Sequence, residues 1–313
     1  MLWPLVAERV AGLEVLRWMG EPVSQYGDIL AEASPETPQI MRQAWRYIAT
    51  GLGADAILLR KVRADATVAP LLRELELRRT AVAEAPFLDL ASAADFAEYE
   101  QRYSAKARKN RRRLLRRLEE RGAVVVERHT SGEQARAAAL EAIALKRAWL
   151  ETTGRLSPAL ADRRFAAFFA DAAEGRGRPA GCGVSVLKSN GETAGIAIDV
   201  TCAGRRAAHV IVHDPRLDAF SPGTLLLQEW IRGASADAIA TFDLLAPAYA
   251  YKSDWADRAV AVADFALGLT LPGRAYVYVY LGALRQRLKA AAEAVSSGLA
   301  WLRPRLSAKL GSE

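Results

Sequence analysis

The 313-residue sequence predicts an α/β protein in which mixed sheets are flanked by helices and the chain falls into two related halves in tandem. Three observations carry that expectation. Runs with strand-like and helix-like periods alternate along most of the chain. Three β-like runs, 182–188, 193–202 and 207–214, are joined by Asn-Gly and Ala-Gly turns, the chemistry of an antiparallel meander. The tetrapeptide Ala-Asp-Ala-Ile occurs at 54–57 and again at 236–239, and each copy closes a strand, helix, strand unit.

Residues 2–8 and 13–20 read as strands around a turn near Gly12. A helix follows at 34–51, with Ser34 before Pro35 at the first helical position and Gly51 at its end. A short buried strand at 54–62 precedes a helix at 68–77. The run 78–90 is a strand leading to one long helix at 92–120. Residues 122–129 form a strand, and helices fill 131–151 and 157–175. After the meander come a helix at 222–234, a strand at 240–245, a short helix at 250–256 and a strand at 259–269. This gives a first half at 1–130, a second at 131–270 and a basic helical tail at 271–313.

With 51% hydrophobic residues the chain can bury a full core. No uncharged apolar run reaches the roughly 18 residues of a membrane span, and the first ten residues lack the basic start and cleavage site of a signal peptide. A cytoplasmic protein is expected, with room for peripheral contact with the inner membrane. Cys182 and Cys202 have no metal-ligand spacing, so buried free thiols and no metal are expected. The net charge of +7 is concentrated: 102–121 holds ten basic and two acidic residues, and 271–313 holds seven and two. The rest of the chain is acidic, unlike a protein that grips nucleic acid over its whole surface.

The segment AFSPGTLLLQEWIRG, 219–233, starts a helix abruptly after a strand. Ser221 can cap the first turn, Pro222 suits the first helical position, and Gly223 keeps bulk from the helix mouth. The N–H groups of Gly223, Thr224 and Leu225 then point at whatever sits there, and the helix dipole favours an anion such as a pyrophosphate. An ordinary Ser-Pro cap is the alternative.

Meander, helix, strand and short helix is the order of the GNAT acyltransferases. Four blocks, RWMGEPVSQYGDIL, YSAKARKNRRRLLRRLEERG, FSPGTLLLQEWI and FDLLAPAYAYKSDWA, resemble the CelD/BcsL-type acetyltransferases associated with cellulose biosynthesis, double-GNAT proteins related to the Fem peptidyltransferases. The resemblance spans about residues 3–268. It implies additional residues before the counterpart of LWPLV in the family, and a Gly where this chain has Ala246-Pro247. It also implies acyl-CoA, acetyl-CoA for instance, as co-substrate, with its pyrophosphate at the Ser221–Leu225 mouth.

Acyl transfer from a thioester needs a polarised carbonyl, a deprotonated nucleophile and a protonated leaving thiolate. The resemblance puts the reacting carbonyl beside His213 and Asp214. Strand alternation sets His209 and His213 on one face, where an imidazole serves as base or as a satisfied structural group. Asp243 interrupts an apolar strand, so its carboxylate is either paired or turned to a cleft as base or acceptor-orienting group. Tyr249 and Tyr251 stand where GNAT enzymes often keep the phenol that returns a proton to sulfur, and Lys252 then pairs with Asp243 or a phosphate. In the first half Ser24, Tyr26 and Asp28 form either an acceptor site or a capped turn. Asn110 shares a helical stripe with Tyr103, Ala107, Leu114 and Leu118 and is expected to bond across a groove.

The function expected is acyl-CoA-dependent transfer to an amine or hydroxyl of a small-molecule or glycan precursor of the exopolysaccharide or cell envelope. A Fem-like transferase using aminoacyl-tRNA, gripped by the arginines of 102–121, is the second reading. A non-catalytic partner of a polysaccharide synthase is the third. The tail, with Tyr276, Tyr280, Leu284 and Leu288 at four-residue spacing beside Arg285, Arg287 and Lys289, either packs on the protein or meets an anionic membrane or a membrane-bound synthase.

Overall fold

The computed structural model describes residues 1–75, 77–155, 157–175, 181–285 and 287–288, as a mixed α/β chain in two compact units. Of the described residues, the first unit takes those of 1–85, 246–248, 259–285 and 287–288; the second takes those of 86–245 and 249–258.

In the first unit, β1 (Leu5–Val10) and β2 (Leu13–Trp18) form a hairpin over Ala11 and Gly12. Gly12 has φ +85, a value that L side chains rarely adopt. Helix α1 (Thr37–Gly51) carries the chain to β3 (Ala56–Arg63), which pairs parallel to β2. Met41, Trp45 and Ile48 bury one face of α1 at i, i+4, i+7 spacing, against Trp18, Leu59 and neighbours. The helix starts at Thr37, later than the Ser-Pro signal implies, because Ser34 is drawn into the preceding turn, where its Oγ accepts from the Glu36 N–H and meets the Thr37 hydroxyl. After α2 (Ala69–Glu74) comes β4 (Arg78–Asp89).

The second unit opens on the end of β4. The expected helix at 92–120 is two helices, α3 (Phe96–Glu100) and α4 (Ala105–Glu119). Asp95 accepts from the Glu98 N–H and Ser104 from the Ala107 N–H, so each side chain starts a helix of its own. Strand β5 (Val124–His129) and α5 (Gly132–Thr153) follow. The helix expected at 157–175 is likewise cut into α6 (Pro158–Ala161) and α7 (Arg163–Glu174), because Asp162 caps the second piece. The meander is β6 (Gly181–Ser189), β7 (Glu192–Cys202) and β8 (Arg205–His213), after which α8 (Pro222–Ala236) leads to β9 (Thr241–Asp243), parallel to β8. Short α9 (Ala250–Ser253) precedes β10 (Arg258–Gly268). The core sets Leu226, Trp230 and Ile231 of α8 on Phe242, Leu187 and Ala197. Asp199, fully buried in β7, is held by Arg128 at 2.8 Å and by the Trp230 indole at 2.8 Å, as a buried charge must be.

Strand order in the first unit is β1-β2-β3-β10 and then residues 78–85 of β4; in the second it is residues 86–89 of β4 and then β9-β8-β7-β6-β5. Each unit is closed by a strand from the other half of the sequence: β10 pairs antiparallel with β3, and residues 87–89 of β4 with β9. The opening stretch of the first unit runs to Ala85, so α4 and β5 lie in the second unit and β10 from Ala259 on lies in the first.

Residues 271–285 continue in the first unit as α10 (Leu271–Ala275) and a π-helical stretch, Tyr276–Leu284. Val277 and Leu281 are its buried side chains, packed on Val15 and Leu58, whereas Tyr280, Leu284 and Leu288 of the expected apolar face are exposed. The tail beyond Leu288, Lys289 included, lies outside the described residues. Cys182 is buried, but Cys202 is exposed at the end of β7, contrary to expectation.

Candidate active site

Strands β8 and β9 pair over only three residues each, Arg205–Ala207 with Thr241–Asp243. Past that point Ala208–Ile211 and Leu244 face a cavity of about 170 Å³. Trp230 of α8, Phe165 of α7, Lys146 of α5 and the Tyr249, Tyr251 and Lys252 segment complete its wall. A bulge brings His209 into that wall: Ala208 pairs with Asp199 and Val210 with Ile198, leaving His209 unmatched in register. The bulge breaks the alternation from which a shared face for His209 and His213 was expected. His213 instead lies by the start of α8, its Nε2 2.8 Å from Asp218.

Asp243 is fully buried, and its environment is that of a structural ion pair. Arg205 donates to it at 2.9 Å, and so does the Leu245 N–H at 2.9 Å. Leu245, at φ +62, turns its carbonyl to accept from Lys252 Nζ at 2.8 Å. Asp243 thus fixes the loop that fixes Lys252. Burial pushes the Lys252 ammonium down to about 8, with Lys146 adding to the fall and Asp243 opposing it. A lysine with that value exchanges a proton near neutral pH.

Tyr249 and Tyr251 stack at 6.4 Å between centroids, and both line the cavity. Partial burial, with Tyr249 alongside, raises the Tyr251 phenol, which keeps its proton at neutral pH. Lys146 is the residue that sequence reasoning missed. Its signal was present: α5 buries Ala139, Ala142 and Ile143, and position 146 continues that face. Its ammonium donates to the Ile211 carbonyl at 3.2 Å and sits 4.2 Å from the Trp149 ring centroid; burial and Arg155 lower its pKa.

The helix mouth differs from expectation. Ser221 sits at φ +51 and makes no side-chain cap. Its carbonyl accepts from both Thr224 and Leu225, so those N–H groups turn into the helix. Leu225 itself is core. Of the three N–H groups only that of Gly223 has no acceptor among the described residues. A Cβ on Gly223 would lie 3.1 Å from His213 Nδ1. Asp214 is also committed: its N–H donates to the Ala194 carbonyl and its carboxylate, held by Arg216 well below the usual range, caps the turn before α8. Neither group is left to polarise a substrate carbonyl. Positive charge does gather here, since Arg117 of α4 and Arg121 in the turn after it stack on Phe220 at 5.3 and 5.2 Å.

Asn110 is exposed and bonded to Arg113 on its own helix. The buried stripe of α4 keeps Leu114 and Leu118 but passes through Arg111 in place of Asn110, and Arg111 lies between Tyr103 and Trp255 at 4.2 and 4.1 Å. In the first unit Asp28 is structural: its carboxylate accepts from the backbone of Ile29, Thr67 and Val68. The Ser24 carbonyl takes the Lys61 ammonium at 3.4 Å, and Tyr26 lies under Arg63 at 4.9 Å. Among the described residues no cluster has the make-up of a metal site, and no helix is long and apolar enough to cross a membrane.

FemX shares the fold at TM-score 0.59 and 11% identity, over 88% of this chain and 86% of FemX. L-PGS from Bacillus licheniformis does so at TM-score 0.53 and 12% identity, over 92% of this chain and 86% of that one. No curated protein matches by sequence. The stretch that supplies α4, the cavity and the α8 mouth, residues 105–253, matches the family model of the acetyltransferase (GNAT) domain.

Proposed function

We propose that the protein is an acyl-CoA-dependent acyltransferase whose donor and reaction site lie wholly in the second unit. The observation that carries this reading is the gap between β8 and β9, where a lysine poised near neutral pH and two phenols face one cavity. The acyl-CoA pyrophosphate meets the Gly223 N–H, His213 and the Arg117–Arg121 pair, and the thioester reaches into the gap. Lys252, once neutral, takes the proton of an acceptor amine or hydroxyl as the new C–N or C–O bond forms. The C–S bond breaks, and the thiolate takes a proton from Tyr251 or Tyr249, which regains one from Lys252. Asp243 is a positioning residue, acting through Leu245.

An acceptor from an exopolysaccharide or envelope precursor is supported by the resemblance of the four blocks. Acetyl-CoA titration of the wild type and Gly223→Val tests the donor assignment: a folded variant with unchanged affinity removes it. Aminoacyl-tRNA as donor is a second reading, favoured by Lys106, Lys109, Arg112, Arg113 and Arg116 on the exposed face of α4. Salt-sensitive tRNA binding without acetyl-CoA binding would select it. Weak association of the basic chain end with anionic membrane belongs to the acyltransferase reading.

A further inference from the structure

The cavity between β8 and β9 is walled by two ammonium groups and no carboxylate. Lys146 from α5 and Lys252 from α9 both face it, and none of its thirteen lining residues is Asp or Glu. Neither lysine has a carboxylate oxygen within 4 Å among the described residues. Asp243, whose charge Lys252 feels, is already paired with Arg205. Each ammonium has three donors and gives one to a backbone carbonyl, Ile211 for Lys146 and Leu245 for Lys252. Two donors on each remain, in a space holding about five or six waters. Lys252 is buried and Lys146 half-buried, with Trp149 and Tyr249 rings beside them as weak compensation, and desolvated cations with unspent donors call for an anion.

We infer that this cavity is a subsite for a carboxylate carried by one of the two substrates, and that Lys146 is the residue that selects it. The inference rests on the acyltransfer reading of the same site. The carboxylate comes either with the donor, as the distal end of a dicarboxylic acyl group, or with the acceptor, as an amino acid or uronic acid. Lys146 is the selecting group because Lys252 gives up its charge during proton transfer, whereas Lys146 has no step to perform. His209 and the two phenols complete the polar wall, and Phe165, Leu244 and Trp230 leave room for a short apolar linker. The lowered pKa of both lysines agrees with a site that awaits a negative charge.

Calorimetry on the full chain tests this with acetyl-CoA, succinyl-CoA, and glucuronate or glutamate added to acetyl-CoA-saturated protein. The expected result is at least tenfold tighter binding of succinyl-CoA than of acetyl-CoA, or measurable binding of one acid on the saturated protein; the first places the carboxylate on the donor, the second on the acceptor. Lys146→Met should abolish that preference and change acetyl-CoA affinity less than twofold, while Lys146→Arg should retain it. If acetyl-CoA binds and no carboxylate probe does, or if Lys146→Met keeps the preference, the subsite is wrong and acyl transfer stands. If acetyl-CoA does not bind while the free acids do, the acyltransfer reading fails and the anion subsite remains.

Discussion

The two units solve one topological problem and differ in what they leave open. In the first, β2, α1 and parallel β3 repeat the order of β8, α8 and parallel β9 in the second. Even the repeated tetrapeptide acts alike in both, since Asp55 accepts from the Glu14 N–H at the start of β2, and Asp237 from Arg206 at the start of β8. The connections into the helices differ. Residues 19–36 join β2 to α1, whereas only 214–221 join β8 to α8. The longer loop lies along β3 beyond its pairing with β2: the Gly27 N–H donates to the Lys61 carbonyl, and Lys61 reaches back to Ser24 and Gln25. Chain thus fills the position that in the second unit is a cavity. A duplicated frame can be a support in one copy and a site in the other, and loop length decides which.

That contrast is sharpest at Lys252. Lys252→Met should lower kcat by a factor on the order of 10² to 10⁴ with little change in acetyl-CoA affinity. The wild-type rate should rise with pH through about 8, since the base must be neutral, and hold until the raised Tyr251 phenol ionises. Steady-state kinetics from pH 6 to 10 checks both. A variant of full activity returns Lys252 to a structural role. Asp243→Asn should lower kcat less, by roughly tenfold to a hundredfold, because it loosens the Leu245 turn and removes no reacting group.

The matching acid in the first unit should behave oppositely. Asp28→Ala leaves three backbone N–H groups without their acceptor and should cost about 1–3 kcal/mol of stability, with kcat per folded molecule unchanged. Denaturant melts together with assays of the folded fraction separate the two effects. A loss of turnover at full stability would make the first unit part of the site.

Lys252 also sets a pH dependence of stability. Its folded-state value of about 8 lies below the ordinary 10.5, so the unfolded chain binds more protons between those limits. Stability should therefore rise with pH across that window, by on the order of 3 kcal/mol for Lys252. Urea melts at pH 7.5 and 10 on the wild type and Lys252→Met should show the rise in the first and much less in the second. The smallest effect belongs to the chain end. A chain ending at Leu288 keeps Val277 and Leu281 in the first unit's core and should bind anionic liposomes less than the full chain at low salt only. Equal binding in co-sedimentation removes the membrane proposal.

Much of the fold was legible in the sequence, because period and turn chemistry are local. Asn190-Gly191 marked the β6–β7 hairpin, and the two Ala-Asp-Ala-Ile copies marked the repeated unit. Helix breaks were misread where Asp95, Ser104 and Asp162 act as caps inside runs that look continuous. The site was legible by segment and less so by atom. The Tyr249 to Lys252 stretch does line the cavity, as Asp243 does not. The reason is that Arg205, remote in sequence from Asp243, satisfies it. Asn110 was misread because the stripe that Leu114 and Leu118 do form passes through Arg111, and a buried arginine between two rings is not an apolar signal. The pairings of β10 with β3 and of β4 with β9 were not legible, because long-range pairing leaves no local trace.

The central claim is that one unit alone holds the donor. The most direct measurement is the stoichiometry of acetyl-CoA binding by calorimetry on the wild type, Gly223→Val and Asp28→Ala. One molecule per chain is predicted, lost in Gly223→Val, where a Cβ meets His213, and retained in Asp28→Ala. Two molecules per chain, or one that survives Gly223→Val and disappears with Asp28→Ala, would contradict it.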